Sequence, residues 1–328
     1  ERLRAMRRTG QLLHEHASLL NGYKPANAEI GVLFSPQTHY LHWAQEGTAQ
    51  RAADALQGYC RALVKRSLPY RVIEEEHLDE LAGLQLLFMP RTLVVDEGTA
   101  ERIGDWVRDG GTLVCESECG AFGSNGIYRY PKERFLSELA GAKEIGRRTL
   151  TTDTVSASVE GRHLQLPAIQ WLTPWEIEHG DVYAPNADGA LMARVPVGRG
   201  QVVLLGSYHG EGYAHAYNRD FEALLEWIAD QAGVGRPVRI VVPEAEENRF
   251  IYLRWGQSEQ TPIISVFFPE GVDSCELRFN GLLDGQEVVR DLISGESHTL
   301  EIQGDIKLLD LPCPAWRLAV LVPESLAG

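Results

Sequence analysis

Residues 111–120, GTLVCESECG, run from a glycine pair through an apolar stretch into Cys115, Glu116, Ser117, Glu118 and Cys119. This pattern predicts a strand that ends in a sharp turn and displays Ser117 or Cys119. Open α/β sheets carry their chemistry at the carboxyl ends of strands. A nucleophile there needs a base, and the base needs a group to orient it. Further along, YHGEGY offers His209 and Glu211, two residues apart and after another strand. Ser117 or Cys119 with His209 and Glu211 is therefore the candidate hydrolytic constellation. The flanking residues argue against it. A strained elbow is usually bordered by glycines, whereas Glu116 and Glu118 stand beside Ser117 and only Gly120 follows Cys119. Adjacent carboxylates also disfavour a thiolate. The plainer reading packs Cys115 in a core and turns Glu116 and Glu118 toward water or a partner.

Other constellations have two readings each. Glycoside hydrolysis needs two carboxylates at a fixed separation, and 46 acidic residues supply many chance pairs. The run VIEEEHLDE (72–80) reads as a solvated loop. Trp171 and Trp175 form either a sugar-stacking platform or part of a packed core. SPQTHYLHWAQEG (35–47) reads as a loop after the first strand, rich in His39, Tyr40, His42 and Trp43. Such a loop serves as a contact surface, or it folds on itself. VGRG (197–200) reads as a hairpin turn. No second Cys/His pair lies at zinc-ligand spacing from Cys115 and Cys119, so neither a metal nor a cofactor is expected.

The elements that position these residues alternate. Residues 1–25 read as a helix ending at NGYKP, and the charged start without a Met reads as a cut from something longer. Strands follow at 29–34, 70–75, 84–90 and 112–117. Helices are expected at 47–67 and 96–111, with a short one within KERFLSELAG. A hairpin covers 191–207 and a helix capped by Asn218 covers 218–233. The alternation predicts an open, mainly parallel sheet with helices on both faces. After VGRP (234–237) only short strands remain, from RIVVPE to RLAVLVP, which predicts a small antiparallel sandwich. The expected division is a linker helix over 1–28, an α/β domain over 29–235 and a β-sandwich over 236–328.

Composition narrows the function. The chain has 328 residues, 44% hydrophobic and 23% charged, with a formal charge of −15. That charge argues against a nucleic-acid partner, and no apolar run is long enough to cross a membrane. Five widely spaced cysteines imply no disulfide framework. With no signal-peptide pattern at the N-terminus, a cytoplasmic setting is expected.

AEIGVLFSPQTHYLHWA, YCRALVKRSLPYRVIEEEHLDEL and LQLLFMPRTLVVDEGTAERIGDWVRDGGTLVCESECG occur in that order. GIYRYPKERFLSELAGAKEI and GDVYAPNADGALMARVPVGRGQVVLLGS follow. Together they resemble the non-barrel part of glycoside hydrolase family 42 β-galactosidases. The resemblance implies a trimerisation domain with a glutamine-amidotransferase-like (flavodoxin-like) fold, followed by a C-terminal β-sandwich. It implies that the elbow survives as architecture without its nucleophile. It also implies a homotrimer in which each chain carries an upstream (β/α)8 barrel, through which alone a galactoside would be handled. That family's acid/base glutamate follows an Asn, and no Asn-Glu dipeptide occurs here, so no catalytic residue is transferred. Aromatic and histidine residues gather in the edge loops, and His39, Tyr40, His42, Trp43, Tyr208, His209 and Tyr213 are candidates for an interface or a substrate wall. An amidotransferase-like hydrolase and a carbohydrate-binding module are the alternatives.

Overall fold

The protein is described here by a computed structural model covering residues 2–243 and 249–326. Glu1 of the N-terminal helix and Glu244 of RIVVPE lie outside the described residues. The chain divides into two compact units.

The first unit comprises residues 28–63 and 70–235. Its strands are β1 (Ile30–Phe34), β2 (Tyr70–Glu74), β3 (Leu86–Met89), β4 (Thr112–Cys115), β5 (Ala142–Glu144), β6 (Trp175–Ile177), β7 (Asp181–Asn186), β8 (Gly189–Val197) and β9 (Gly200–Leu205). They form one nine-stranded sheet in the order β2-β1-β3-β4-β9-β8-β6-β5, with β7 also paired to β8. The five strands from β2 to β9 are parallel, and every pairing beyond β9 is antiparallel. The expected parallel sheet is therefore mixed. VGRG makes the β8–β9 turn, with Val197 opposite Gly200.

The helices of this unit are α1 (Pro36–Glu46), α2 (Gln50–Lys65), α3 (Glu97–Arg108), α4 (Phe135–Ala140), α5 (His209–His215) and α6 (Arg219–Gln231). The parallel strands carry apolar side chains on both faces, as a doubly covered sheet requires. On one face Leu87, Met89, Leu113 and Leu204 pack in a core with Ile103 and Val107 of α3 and Leu136 of α4. On the other, the Tyr59 ring of α2 lies 5.0 Å from Phe88 and 5.2 Å from Phe221 of α6.

Two segments read as loops are helical. α1 occupies SPQTHYLHWAQEG. Ser35 caps it by accepting from the Thr38 amide, Pro36 takes the first turn, and Gly47 closes it at φ +72. These signals were in the sequence, but the scattered apolar positions hid the helical period. VIEEEHLDE enters a 3₁₀ segment, Glu75–Gly83, in which Glu75 is buried.

The second unit comprises residues 1–27, 64–69 and 236–328. It contains a six-stranded and a four-stranded sheet, all of whose pairings are antiparallel. Leu253, Trp255, Val266 and Leu321 of the larger sheet share a core with Leu277, Phe279 and Leu309 of the smaller. The expected single helix over 1–25 breaks at His16 into Arg2–Glu15 and Ala17–Asn21. Tyr23–Pro25 then joins the larger sheet as an edge strand beside Tyr252–Ser258. That pairing partner lies more than 200 residues away, out of reach of local periodicity.

Candidate functional site

β4 ends at Cys115, and the chain turns sharply through residues 116–120. Glu118 sits at φ +60 and Gly120 at φ +68. The elbow exists, but its strained apex is a glutamate. A left-handed non-glycine residue costs about 1–2 kcal/mol, so the surroundings must hold it. They do so through polar contacts. The Glu118 carboxylate accepts from Arg147 Nε and Nη2 at 2.9 and 2.8 Å and from the Tyr208 hydroxyl at 2.5 Å. Its amide donates to Glu144, which is ion-paired with Arg134. Burial raises the Glu144 carboxyl to about 6, against the pull of Arg134. Glu118, Glu144, Arg147, Tyr128 and Thr173 line a cavity of about 370 Å³.

Neither candidate nucleophile is displayed. Cys119 is packed in the sheet core with Cys115. Ser117 is fully buried, its hydroxyl 2.5 Å from that of Thr173. Glu116 and Glu118, expected to face water or a partner, are buried as well.

Glu116 points the other way, into a second network centred on Arg91. Its carboxylate accepts from the Gly210 amide at 2.7 Å, the Arg91 amide at 2.9 Å and the Tyr59 hydroxyl at 3.2 Å. Burial nevertheless raises its pKa to about 7. The Arg91 side chain is 1% exposed and uses all three nitrogens. Nε donates to His42 Nε2 at 3.0 Å, Nη1 to Glu211 at 2.6 Å and Nη2 to Gln170 at 2.6 Å. The guanidinium lies 3.8 Å from the centre of the Tyr208 ring. One cation thus ties α1, α5, the segment before β6 and the elbow together. Nothing in PRT at 90–92 marked it in the sequence; its role arises from partners up to 120 residues away.

The histidines are held neutral. Burial, then Arg91, lowers the His42 pKa to about 4. Because Arg91 can only donate, His42 Nε2 accepts and Nδ1 carries the proton, 3.5 Å from Glu46. Burial lowers His209 to about 4 as well. Its Nδ1 donates to the Pro167 carbonyl at 2.6 Å, and its Nε2 has no hydrogen-bond partner. Glu211 is committed to Arg91. The Ser117 or Cys119, His209 and Glu211 set is therefore brought into one neighbourhood but not into a proton relay.

The aromatic candidates separate by exposure. Tyr208, His209 and Tyr213 are interior. On α1, His42 faces inward and His39 Nδ1 donates to the Ser35 carbonyl at 3.0 Å, since a carbonyl can only accept. Tyr40 and Trp43 project outward, 72% and 66% exposed. The loop before α4 adds exposed Ile127 and Tyr130, which the sequence reading did not single out. Trp175 is buried in the core, and Trp171 is half-buried with the Arg147 guanidinium 3.9 Å from its ring centre, so the two do not form an open platform. Among the described residues no cluster of metal-ligating side chains occurs, and no helix is long and apolar enough to cross a membrane.

Residues 28–235 match the family of the β-galactosidase trimerisation domain. A comparison with curated proteins gave no match. Among solved structures, the chain is similar to a catalytic mutant of Gan42B, a GH42 β-galactosidase from G. stearothermophilus. That match has 18% identity and a TM-score of 0.69, and it covers 92% of this chain and 41% of that one. It is also similar to a β-galactosidase from Bacillus circulans sp. alkalophilus, with 16% identity, a TM-score of 0.67, and 90% and 41% covered. An α-L-fucosidase isoenzyme 2 from Paenibacillus thiaminolyticus matches with 12% identity, a TM-score of 0.64, and 94% and 50% covered. The chain thus spans about two-fifths of the β-galactosidases it resembles. With the family match covering residues 28–235, the chain belongs to the β-galactosidase trimerisation domain family.

Proposed function

We propose that this chain is the assembly region of a β-galactosidase-like glycoside hydrolase. In this reading residues 29–235 are a trimerisation domain and residues 236–328 a C-terminal β-sandwich. Residues 1–28 link them to an N-terminal (β/α)8 barrel that carries the catalytic carboxylates and the galactoside. The assembly is a cytoplasmic homotrimer. The observation that carries the reading is the family match over residues 28–235. The parallel strand order β2-β1-β3-β4 supports a flavodoxin-like, amidotransferase-like ancestry, with the elbow kept as scaffold and Glu118 at its apex.

The elbow networks suit this role. They fix α1 from beneath through His42 while leaving Tyr40 and Trp43 outside. Aromatic side chains on a rigid support lose little entropy on docking and anchor interfaces. In the trimer, the Trp43 face meets a neighbouring subunit and helps wall that subunit's sugar site.

Light scattering over a dilution series tests the proposal. A concentration-dependent trimer that Trp43→Ala weakens is expected. A monomer at all accessible concentrations, unaffected by Trp43→Ala, refutes it for this chain. The chain alone is expected not to cleave a chromogenic galactoside; turnover abolished by a Glu→Gln change within it would overturn the division of labour.

A further inference from the structure

The second unit carries a row of aromatic side chains. Along the larger sheet, Leu253, Val266 and Leu321 point into the core, so Tyr252 and Phe267 fall on the opposite face. Tyr252 pairs directly with Phe267, and Phe267 with Leu318. Ring centroids step 6.3 Å from Phe250 to Tyr252, 6.1 Å to Phe267 and 6.3 Å to Trp316. The Lys65 ammonium lies 4.6 Å from the Phe250 centroid and closes that end. The other end is open: Trp316 is 78% exposed.

The backbone under Trp316 is a second, independent observation. The Arg317 amide donates to the Pro314 carbonyl at 3.2 Å, closing a four-residue turn. Trp316 is the third residue of that turn, at φ +63. This position ordinarily takes Gly or Asn, because a side chain there is strained. The Trp316 amide is spent on the Phe268 carbonyl at 2.7 Å, which seats the turn on the sheet. A bulky residue held in a strained conformation with its ring in water serves stability poorly, and such outliers are enriched at sites of function.

We propose that the Trp316 end of this row is a saccharide-binding site that takes a galactose-containing oligosaccharide. The choice of galactose rests on the reading that the parent enzyme handles galactosides. The preference for a sugar over a protein rests on size and shape. The outward parts of these rings and Leu318 amount to roughly 400 Å², about half of the ~800 Å² per partner that a stable protein interface buries. A free indole face matches the flat C–H face of a pyranose.

Titration of the full 328-residue chain with β-1,4-galactotetraose, followed by calorimetry, tests this. Saturable binding is expected. Trp316→Ala should weaken it at least about tenfold, as loss of one aromatic stack does, and Trp316→Phe should restore most of it. Trp316→Gly should abolish binding while leaving the melting temperature at or above that of the parent, because glycine suits the turn. No binding by the parent chain overturns the proposal, as does binding unchanged by Trp316→Ala. A drop in self-association on Trp316→Ala without sugar also overturns it, because the row would then hold a second copy. Failure here leaves the Trp43 association test untouched, so the two readings fail separately.

Discussion

Arg91 and Glu116 meet beneath the sheet edge, and each has a measurable consequence. Arg91 is the cation that Glu211 contacts directly, at 2.6 Å, with both side chains buried. Removing one partner of a buried pair strands the other, at about 3–5 kcal/mol. Arg91→Met is therefore expected to lose about that much stability in urea denaturation; a loss under 1 kcal/mol would mean the network does not hold the edge. Glu116 has a folded pKa of about 7 against an ordinary 4.5. Between these values the folded state holds a proton that the unfolded state has released. Its contribution is full below about pH 4.5 and is lost as pH rises toward 7. Glu144 acts in the same direction up to about 6. His42 and His209, lowered from 6.5 to about 4, act in the opposite direction over 4 to 6.5. The net profile mixes these groups, so the difference between parent and Glu116→Gln isolates the carboxyl. The variant is expected to gain relative to the parent as pH rises from 4.5 to 7.5, measured by denaturation midpoints. A pH-independent difference would place the Glu116 pKa near its ordinary value.

Two elements depend on small local features. α1 is held by the Ser35 cap and the left-handed Gly47. Ser35→Ala and Gly47→Ala should each cost about 1 kcal/mol. Both should also weaken self-association, because they loosen the support of Tyr40 and Trp43. If stability falls and association does not, α1 is not the interface. α2 and α5 touch backbone to backbone: a Cβ on Gly58 would lie 1.9 Å from the Gly210 carbonyl oxygen. No rotamer relieves a clash with a carbonyl, so Gly58→Ala must push the helices apart. Overpacking of this kind costs about 1–3 kcal/mol. Because Gly210 donates to Glu116, the same variant should also shift the pH profile of that carboxyl.

At the scale of the whole molecule the governing quantity is the charge of −15. Copies of such a chain repel one another at low salt, and screening extends only about 8–10 Å near physiological ionic strength. An interface built on Tyr40 and Trp43 is apolar at its centre. Raising NaCl from about 20 to about 300 mM should therefore strengthen association in light scattering. Weakening by salt would instead assign the interface to ion pairs between subunits.

By itself the sequence determined the parallel strands β1 to β4, the amphipathic α2, α3 and α6, the β8–β9 hairpin and the change to short strands after residue 235. These rest on local periodicity and on caps such as Asn218 and Gly233, which adjacent residues encode. It also placed an elbow at the end of β4 and carried the family resemblance. Tertiary structure decided the rest. α1 is a helix because its caps and His42 find their partners, although its apolar spacing is weak. Tyr23–Pro25 is a strand only because Tyr252–Ser258 offers it an edge. Glu116 and Glu118 are buried, although charge alone places them in water, because Arg147, Tyr59, Tyr208 and the backbone amides of Arg91 and Gly210 are brought to them from distant segments. Whether a charged residue pays for desolvation depends on partners that only the folded chain assembles, and sequence spacing carries no record of them.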